Sequence, residues 1–350
     1  MPSVNTFGWR AKQVSHGTPL PASGSGLEWR RPLNTTIGWL LVTRLVTSAL
    51  TILFVATAVF VITNLLPGDV VQTLLGQSAT PEAVAGLRKA LGLDLPPVER
   101  YRHWLIGLLR GDAGNSLVNG LPVTQLIGSR LGNSLLLAGI TAAVAVPVAL
   151  LLGITTAVAR GSLYDRLVGA GTILVVSVPE FLVATLAVLV FAVNLHWLPA
   201  LSQASSLTSA RDVLRNFALP VLTLTLVIVA QMARMTRAAL VDALSSSYVE
   251  MAVLKGASPS RIILRHALPN AIGPIANAIA FSLSFLLGGV IIVETIFNYP
   301  GIAKLMVAGV ATRDLPLVQA CAMIFCAAYL VLITTADVAA ILANPRLRHR

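Results

Sequence analysis

Tyr248 to Asn270, YVEMAVLKGASPSRIILRHALPN, is a polar island between two apolar segments, and its punctuation is that of two short helices, not a loop. Ser247 is placed to cap the first helix, with Glu250 at the third helical position closing a capping box onto it. Gly256 supplies the left-handed residue that ends that helix. The second helix has Ser258 as its cap and Pro259 at its first position, where the missing N–H is not needed, and it is expected to run to about Leu268 and stop at Pro269. Ile262, Ile263, Ala267 and Leu268 make one side apolar, while Arg261, Arg265 and His266 stay polar. Such a helix can lie along a membrane surface as a connector or dock into a partner's groove.

The rest of the chain supplies the membrane. It is 56% hydrophobic and only 11% charged, with a mean hydropathy of +0.81, the composition of a polytopic membrane protein. The net charge of +11 would suggest nucleic acid in a soluble protein. Here the basic residues are spread between apolar spans with few aromatics among them, so anionic lipid is the simpler partner. Cys321 and Cys326 share one apolar segment and, five apart, point to different sides of a helix, as packing residues do.

Residues 1–36 are polar, with Pro, Ser and Gly, and read as a flexible cytoplasmic tail instead of a cleaved signal peptide. Six apolar stretches then approach the roughly 20 residues that cross a bilayer: 45–65, 134–158, 167–193, 217–235, 272–293 and 317–341. The fourth is the weakest. The third contains Pro179 and Glu180 and is expected to kink or break, with part of it facing protein or water.

Six crossings return the C-terminus to the starting side. With the N-terminus inside, the inner segments hold Arg160, Arg166, Arg234, Arg237, Lys255, Arg261 and Arg265, then Arg346, Arg348 and Arg350, in addition to the basic residues of the tail and Arg44. The long outer loop carries Asp69, Glu82, Asp94, Glu99 and Asp112, which nearly neutralise its own cations. The bias is positive-inside and places the 248–270 island in the cytoplasm.

The outer region, 67–133, carries two expected helices. One starts at Thr80-Pro81-Glu82 and bears Val84, Leu87 and Leu91; the other runs from Pro97 to Leu109 with Tyr101, Trp104 and Leu105. They suit an interfacial cap or a cover over the mouth of a pore. Past the fifth span, Glu294 stands at the outer face, and Phe297, Tyr299, Pro300 and Gly301 form a turn before a short helix with Ile302, Leu305 and Met306. Glu294 and Tyr299 are candidates for an outer gate. Glu180 is a candidate for lining a hydrated path, because an isolated carboxylate facing lipid is costly.

Glu250-x-Ala252, then Gly256, then His266-x-Leu268-Pro269 resembles the coupling motif of ATP-binding cassette importer permeases, with Met251 where alanine is usual. Other pieces are similar to the dipeptide and oligopeptide branch of that family. They are Leu66-Pro67-Gly68-Asp69, Leu91-Gly92-Leu93-Asp94, Gly111-Asp112-x-Gly114-x-Ser116, Ser177-x-Pro179-x-Phe181 and Trp197-Leu198-Pro199, followed by Glu294-Thr295-Ile296-Phe297 with Pro300-Gly301, Arg313-Asp314-x-Pro316 and Pro345-Arg346-x-Arg348. The long tail, Ala320 after Gln319 where glycine is common, and Asn344 where aspartate often precedes the proline depart from the pattern.

The resemblance implies an all-α polytopic membrane protein with six transmembrane helices and the type I ABC importer permease fold. It implies a tail over 1–36, a permease domain over 37–343 with coupling helices at 247–269, and a second tail over 344–350. Glu250, Ala252, Gly256, Pro259, His266, Leu268 and Pro269 would couple it to ATPases. The implied partners are a second permease subunit, two cytoplasmic ATPases that hold ATP and Mg, and an extracytoplasmic binding protein. The implied setting is the bacterial inner membrane with both termini cytoplasmic. Dipeptides or oligopeptides lead as cargo, with nickel complexes, glutathione or opine-like solutes as alternatives.

No enzyme chemistry competes. Gly288-Gly289 lies inside an apolar span with no Gly-Lys-Ser/Thr around it, so a Walker loop is absent and no cofactor is expected in this chain. His16, His103, His196, His266 and His349 are scattered without metal-ligand spacing. Glu180 and Asp337 are single acids, whereas an intramembrane protease needs two positioned carboxylates. An ion-coupled secondary transporter is the better rival, resting on the Ser177 to Phe181 break, although no internal repeat supports it.

Overall fold

The computed structural model describes residues 33–65, 71, 75, 80–90, 92–202 and 210–343. The tail through residue 32, the Leu66-Pro67-Gly68-Asp69 motif, Leu91 and the terminal segment 344–350 with Asn344 and Pro345-Arg346-x-Arg348 lie outside them. The described part is helical, with one isolated bridge between Asn115 and Pro122.

Helix α1 spans Leu33–Leu65. Two short helices follow at the end of the bundle that the charge pattern assigns to the outside, called outer below and the opposite end inner: α2 (Pro81–Ala90) and α3 (Pro97–Leu109), each started by a proline. Helix α4 covers Val123–Val158, α5 Leu163–Ser177 and α6 Glu180–Ala187, the last continuing as a wider π turn over Val188–Asn194. Helix α7 covers Ala210–Leu244 and α8 Ser247–Leu254. The long run Pro259–Ile296 is α9, followed by α10 (Ile302–Thr312) and α11 (Leu315–Ala343).

Among the described residues five helices are long and apolar enough to cross a bilayer, or six if α5 and α6, bent by 99° at their junction, form one broken span. The bend falls at Val178-Pro179, because the residue before a proline is driven out of the helical region: Val178 has φ −91° and ψ 127°. Glu180 onward resumes the helix, so the expected break of the third span is present.

The bundle is assembled on α4 and α7, the most extensive helix pair. On α4, Thr141, Ala145, Ala149, Gly153 and Ala157 recur every fourth residue and are all buried; on α7, Leu224, Ile228, Met232, Thr236 and Leu240 do the same. A ridge of small side chains therefore receives a ridge of large ones, the close approach that helices use where lipid offers no hydrophobic drive. A side-chain carbon on Gly153 would stand 2.6 Å from the Thr236 Cβ, so the contact at that level is backbone against side chain.

The weak hydropathy of the fourth span now has a cause. Within α7, 61% of the span is buried in protein, against 11% for α1, so its surroundings are helices rather than lipid. Helix α1 packs chiefly on α11 and is held to it at two levels. Gln319 Nε2 donates to Thr63 Oγ1 at 2.8 Å near the outer end, and Arg44 lies 3.0 Å from Asp337 toward the inner end. Asp337 is thus the interhelical partner of a cation.

Candidate functional site

The inner end of the bundle carries the helix pair that organises the sequence. Gly256 adopts φ +76°, and around it the Gly256 N–H reaches Val253 O at 2.9 Å and the Ala257 N–H reaches Ala252 O at 3.1 Å. These are the two bonds of a Schellman reversal, which requires a left-handed residue at its next-to-last position.

Two local expectations are corrected. Helix α8 begins after Ser246, not Ser247, and no side chain caps it; the Ser246 hydroxyl instead donates to Ala243 O, completing α7. Glu250 is thereby the fourth helical residue, beyond reach of a capping box, and its side chain is exposed. The second helix likewise starts at Pro259 without a side-chain cap from Ser258, and it does not stop at Pro269. Between Ile262 and Ala267 the helix widens to a π turn, with the Leu268 N–H bonded to Ile263 O five residues back. That wider register removes the clash a proline ring makes with the carbonyl four residues before it, so the short second helix and the long apolar helix after it become one continuous rod.

Val249 and Ala252 of α8 pack with Ile262, Ala267, Ala271 and Ile275 of α9 onto Leu240 of α7 and Ala157 of α4. Leu268 and His266 are half-buried at the edge of this core. The opposite face is apolar yet open: Met251 is 53% exposed, Leu254 75% and Leu264 67%. Glu250, Lys255, Pro259, Arg261, Arg265 and Pro269 are exposed around it. Large exposed apolar side chains ringed by charge are the kind of surface that a protein partner or a membrane interface covers.

Just above lies an ion pair that local sequence signals missed. Arg237 of α7 grips Asp165 of α5 with Nε to Oδ1 at 2.6 Å and the terminal nitrogen to Oδ2 at 2.8 Å. Oδ2 also accepts the Gly161 N–H at 2.9 Å, and Ser162 caps α5 by accepting the Asp165 N–H at 3.2 Å. The partners are 72 residues apart, so only the folded chain brings them together.

Glu180 stands at the first position of α6, right after the bend. Its Oε1 is buried without a hydrogen-bond partner, and a side-chain carbon on Gly289 of α9 would lie 2.5 Å from it. The carboxylate therefore rests against bare backbone in the outer half of the bundle.

The outer end holds two polar knots. The buried Glu294 carboxylate accepts the Ser134 hydroxyl at 2.5 Å and the N–H groups of Ala303 at 2.8 Å and Lys304 at 3.0 Å, so it caps α10 from the end of α9. A side chain on Gly301 would overlap that carboxylate. Tyr299 is fully buried, donates its hydroxyl to Asn133 O at 2.9 Å and sets its ring edge-on to Phe217. Burial, with Glu294 beside it, pushes its phenol above the ordinary range. In the second knot Asp314 accepts the Ser116 hydroxyl and, at 3.0 Å, the Leu117 N–H, so two motifs 198 residues apart close on each other. Glu294 and Tyr299 share one knot; Glu180 is separate from it, and the helix pair lies at the opposite end.

Among the described residues no group of three His, Cys, Asp or Glu side chains is placed to hold a metal ion. The architecture is that of a polytopic helical membrane protein presenting a rigid helix reversal at one end. Residues 149–349 match the family described as binding-protein-dependent transport system inner membrane component, and residues 38–131 match its N-terminal component. The chain is 33% identical over 313 residues to a probable peptide ABC transporter permease of Sinorhizobium fredii, covering 89% of this chain and 100% of that protein. It is 36% identical over 300 residues to the glutathione transport system permease GsiC of Salmonella typhimurium, covering 86% and 95%. A putative peptide transport system permease of Brucella abortus is 35% identical over 297 residues, covering 85% and 95%. The chain belongs to the inner-membrane components of binding-protein-dependent transport systems: it is a permease subunit of an ABC importer and not itself an enzyme.

Proposed function

We propose that this permease passes dipeptides or short oligopeptides across the inner membrane, after an extracytoplasmic binding protein delivers them to the outer end. A second, similar permease completes the pathway, and two cytoplasmic ATPases holding ATP and Mg are coupled through the helix pair of Glu250, Ala252, Gly256, Pro259, His266, Leu268 and Pro269, with Ala252 buried beneath the docking face. Both termini lie in the cytoplasm. The segment 67–133 faces the binding protein, Glu180 borders the path, and the Glu294–Tyr299 knot makes the outer segment gate as a unit. Relatives named for peptide and glutathione transport support this cargo class; glutathione, nickel complexes and opine-like solutes are the alternative cargo. Family membership leaves the ion-coupled reading without support.

The observation that carries the docking assignment is the open apolar face of Met251, Leu254 and Leu264, set on a reversal whose other face is buried. ATP binding would close the ATPase pair, and the rod α9 would convey that motion into the bundle. In complexes purified from membranes, Leu254→Asp should strip the ATPases while the two permeases stay together. Retention of the ATPases at the normal ratio overturns the docking assignment. Uptake of alanylalanine, a tetrapeptide and glutathione into vesicles bearing the intact complex fixes the cargo; transport of glutathione alone overturns the peptide reading.

A further inference from the structure

The broken third span meets the bundle in an uneven way. Its first half, α5, packs mainly on α7, and its second half, α6, packs on α7 and α9. At the inner end α5 is fixed to α7 by the two-pronged grip of Arg237 on Asp165, beside a hydrogen bond at 2.9 Å between the Tyr164 hydroxyl and Thr155 of α4. Both carboxylate oxygens are engaged, the Gly161 N–H adds a third bond, and Asp165 is only 7% exposed. A bidentate pair of this kind fixes distance and rotation together, which a single point contact does not.

The position of the grip gives it meaning. Arg237 is one turn before Leu240, the α7 residue buried in the core under α8 and the start of α9. Displacement of the docking face reaches α7 at Leu240, and Arg237 rides on the same helix one turn away. At the far end of α5, about 22 Å away for its 15 residues, the chain bends into Glu180. That carboxylate has a buried oxygen with no partner of its own. Its place against Gly289 is therefore set by the rod that carries it, and a shift of the rod re-aims it.

We infer that the Asp165–Arg237 pair is a positioning strut that makes α5 move with the docking face and so carries motion at the inner end to the break at Val178-Pro179 and to Glu180. The inference rests on the docking assignment above. Without the strut, α5 would be free to lag behind α7, and the docking helices would move without altering the path near Glu180.

The test uses the complete transporter in lipid nanodiscs with spin labels at Leu163 on α5 and Ser247 on α8, both exposed and outside the docking face. Distances are compared between the nucleotide-free state and the state trapped with ATP and vanadate. With the native pair, the distance distribution stays the same in both states. Asp165→Asn should shift it in the trapped state and at least double its width, with vanadate-sensitive ATP hydrolysis retained. Arg237→Lys, which keeps the charge and loses one prong, should give an intermediate width, and the exchanged pair Asp165→Arg with Arg237→Asp should narrow it again. An unchanged distribution in Asp165→Asn overturns the strut, as does equal broadening in all three variants, the mark of a merely structural site. Docking is read separately, by whether Leu254→Asp releases the ATPases: if they stay at the normal ratio, the docking assignment fails whatever the distances show.

Discussion

The two ends of this permease solve opposite problems. At the outer end every acceptor of Glu294 and Asp314 is used internally: hydroxyls and backbone N–H groups from α4, α10 and the turn at residue 116 converge on two buried carboxylates. At the inner end the helix reversal keeps only half of its surface for the bundle and leaves Met251, Leu254 and Leu264 open. A buried polar knot is strong only when complete, because each group left unpaired costs its full desolvation. An open apolar face tolerates much more. Substitutions should therefore damage assembly at the outer end and coupling at the inner end.

The largest effect is expected at the outer knot. Glu294→Ala leaves the Ser134 hydroxyl and the N–H groups of Ala303 and Lys304 without their acceptor, a loss of about 3–5 kcal/mol by analogy with breaking a buried charged pair. Gly301→Val drives a branched side chain into the same carboxylate. Both should cut the yield of assembled complex on size exclusion more than tenfold, whereas Glu294→Gln, which keeps an acceptor, should recover most of it. Normal yield for Gly301→Val would show that the segment 299–303 moves freely and that the contrast between the two ends is wrong.

The second knot is smaller. Asp314→Asn keeps one acceptor for the Leu117 N–H or the Ser116 hydroxyl but not the charge, so the loss should be about 1–2 kcal/mol. Ser116→Ala should cost about 1 kcal/mol. Thermal unfolding of the detergent-purified complex should rank them in that order, and a double variant no worse than Asp314→Asn alone would show that the two residues act as one unit.

How much of this was legible in the sequence differs between the two ends for a physical reason. Spans, the break at Pro179 and the left-handed turn at Gly256 are local: apolar run length, a proline and a glycine announce them. Among the described residues the same reversal recurs at Gly92 and Gly111 and also at Asn298, φ 54°, and Arg313, φ 58°; neither of these last two residue types signals it as glycine does. The partners of Asp165, Glu294 and Asp314 are 72, 160 and 198 residues away; no window along the chain contains them. Local signs also misled. Ser247 and Glu250 have the spacing of a capping box, but Ser246 was already committed to ending α7. Pro269 has the look of a stop, but a π turn upstream absorbed it.

At the inner end the effects should be on coupling and not on yield. No atom lies within 4 Å of where a side chain on Gly256 would begin, so Gly256→Val meets no clash. Its penalty is conformational, about 1–2 kcal/mol for a left-handed residue and more for a branched one. The reversal should open, the start of α9 should tilt away from α8, and ATP hydrolysed per alanylalanine taken up should rise several-fold in vesicles with a normally assembled complex. Gly256→Asn, which tolerates the left-handed region, should stay near the native ratio. Equal ratios for glycine, asparagine and valine would mean that the angle between the two helices does not matter.

The smallest effect sharpens the comparison most, because it separates folding from docking at one residue. Glu250 is exposed on α8 and caps nothing; its N–H bonds to Ser246 O through the backbone alone, and that bond survives any side chain. Glu250→Ala should therefore change the stability of the complex by less than about 0.5 kcal/mol, the usual range for a surface substitution, and alanine's better helix propensity works in its favour. Whatever the carboxylate does must then be done against a partner. If the ATPases dock on this face, they should dissociate faster from the alanine variant, with the difference shrinking as salt rises, because an exposed charge acts over no more than a Debye length. Thermal unfolding of the complex and ATPase dissociation measured on the same preparation decide the matter. Loss of stability with unchanged dissociation would return Glu250 to a structural role, and no change in either would remove it from the docking face.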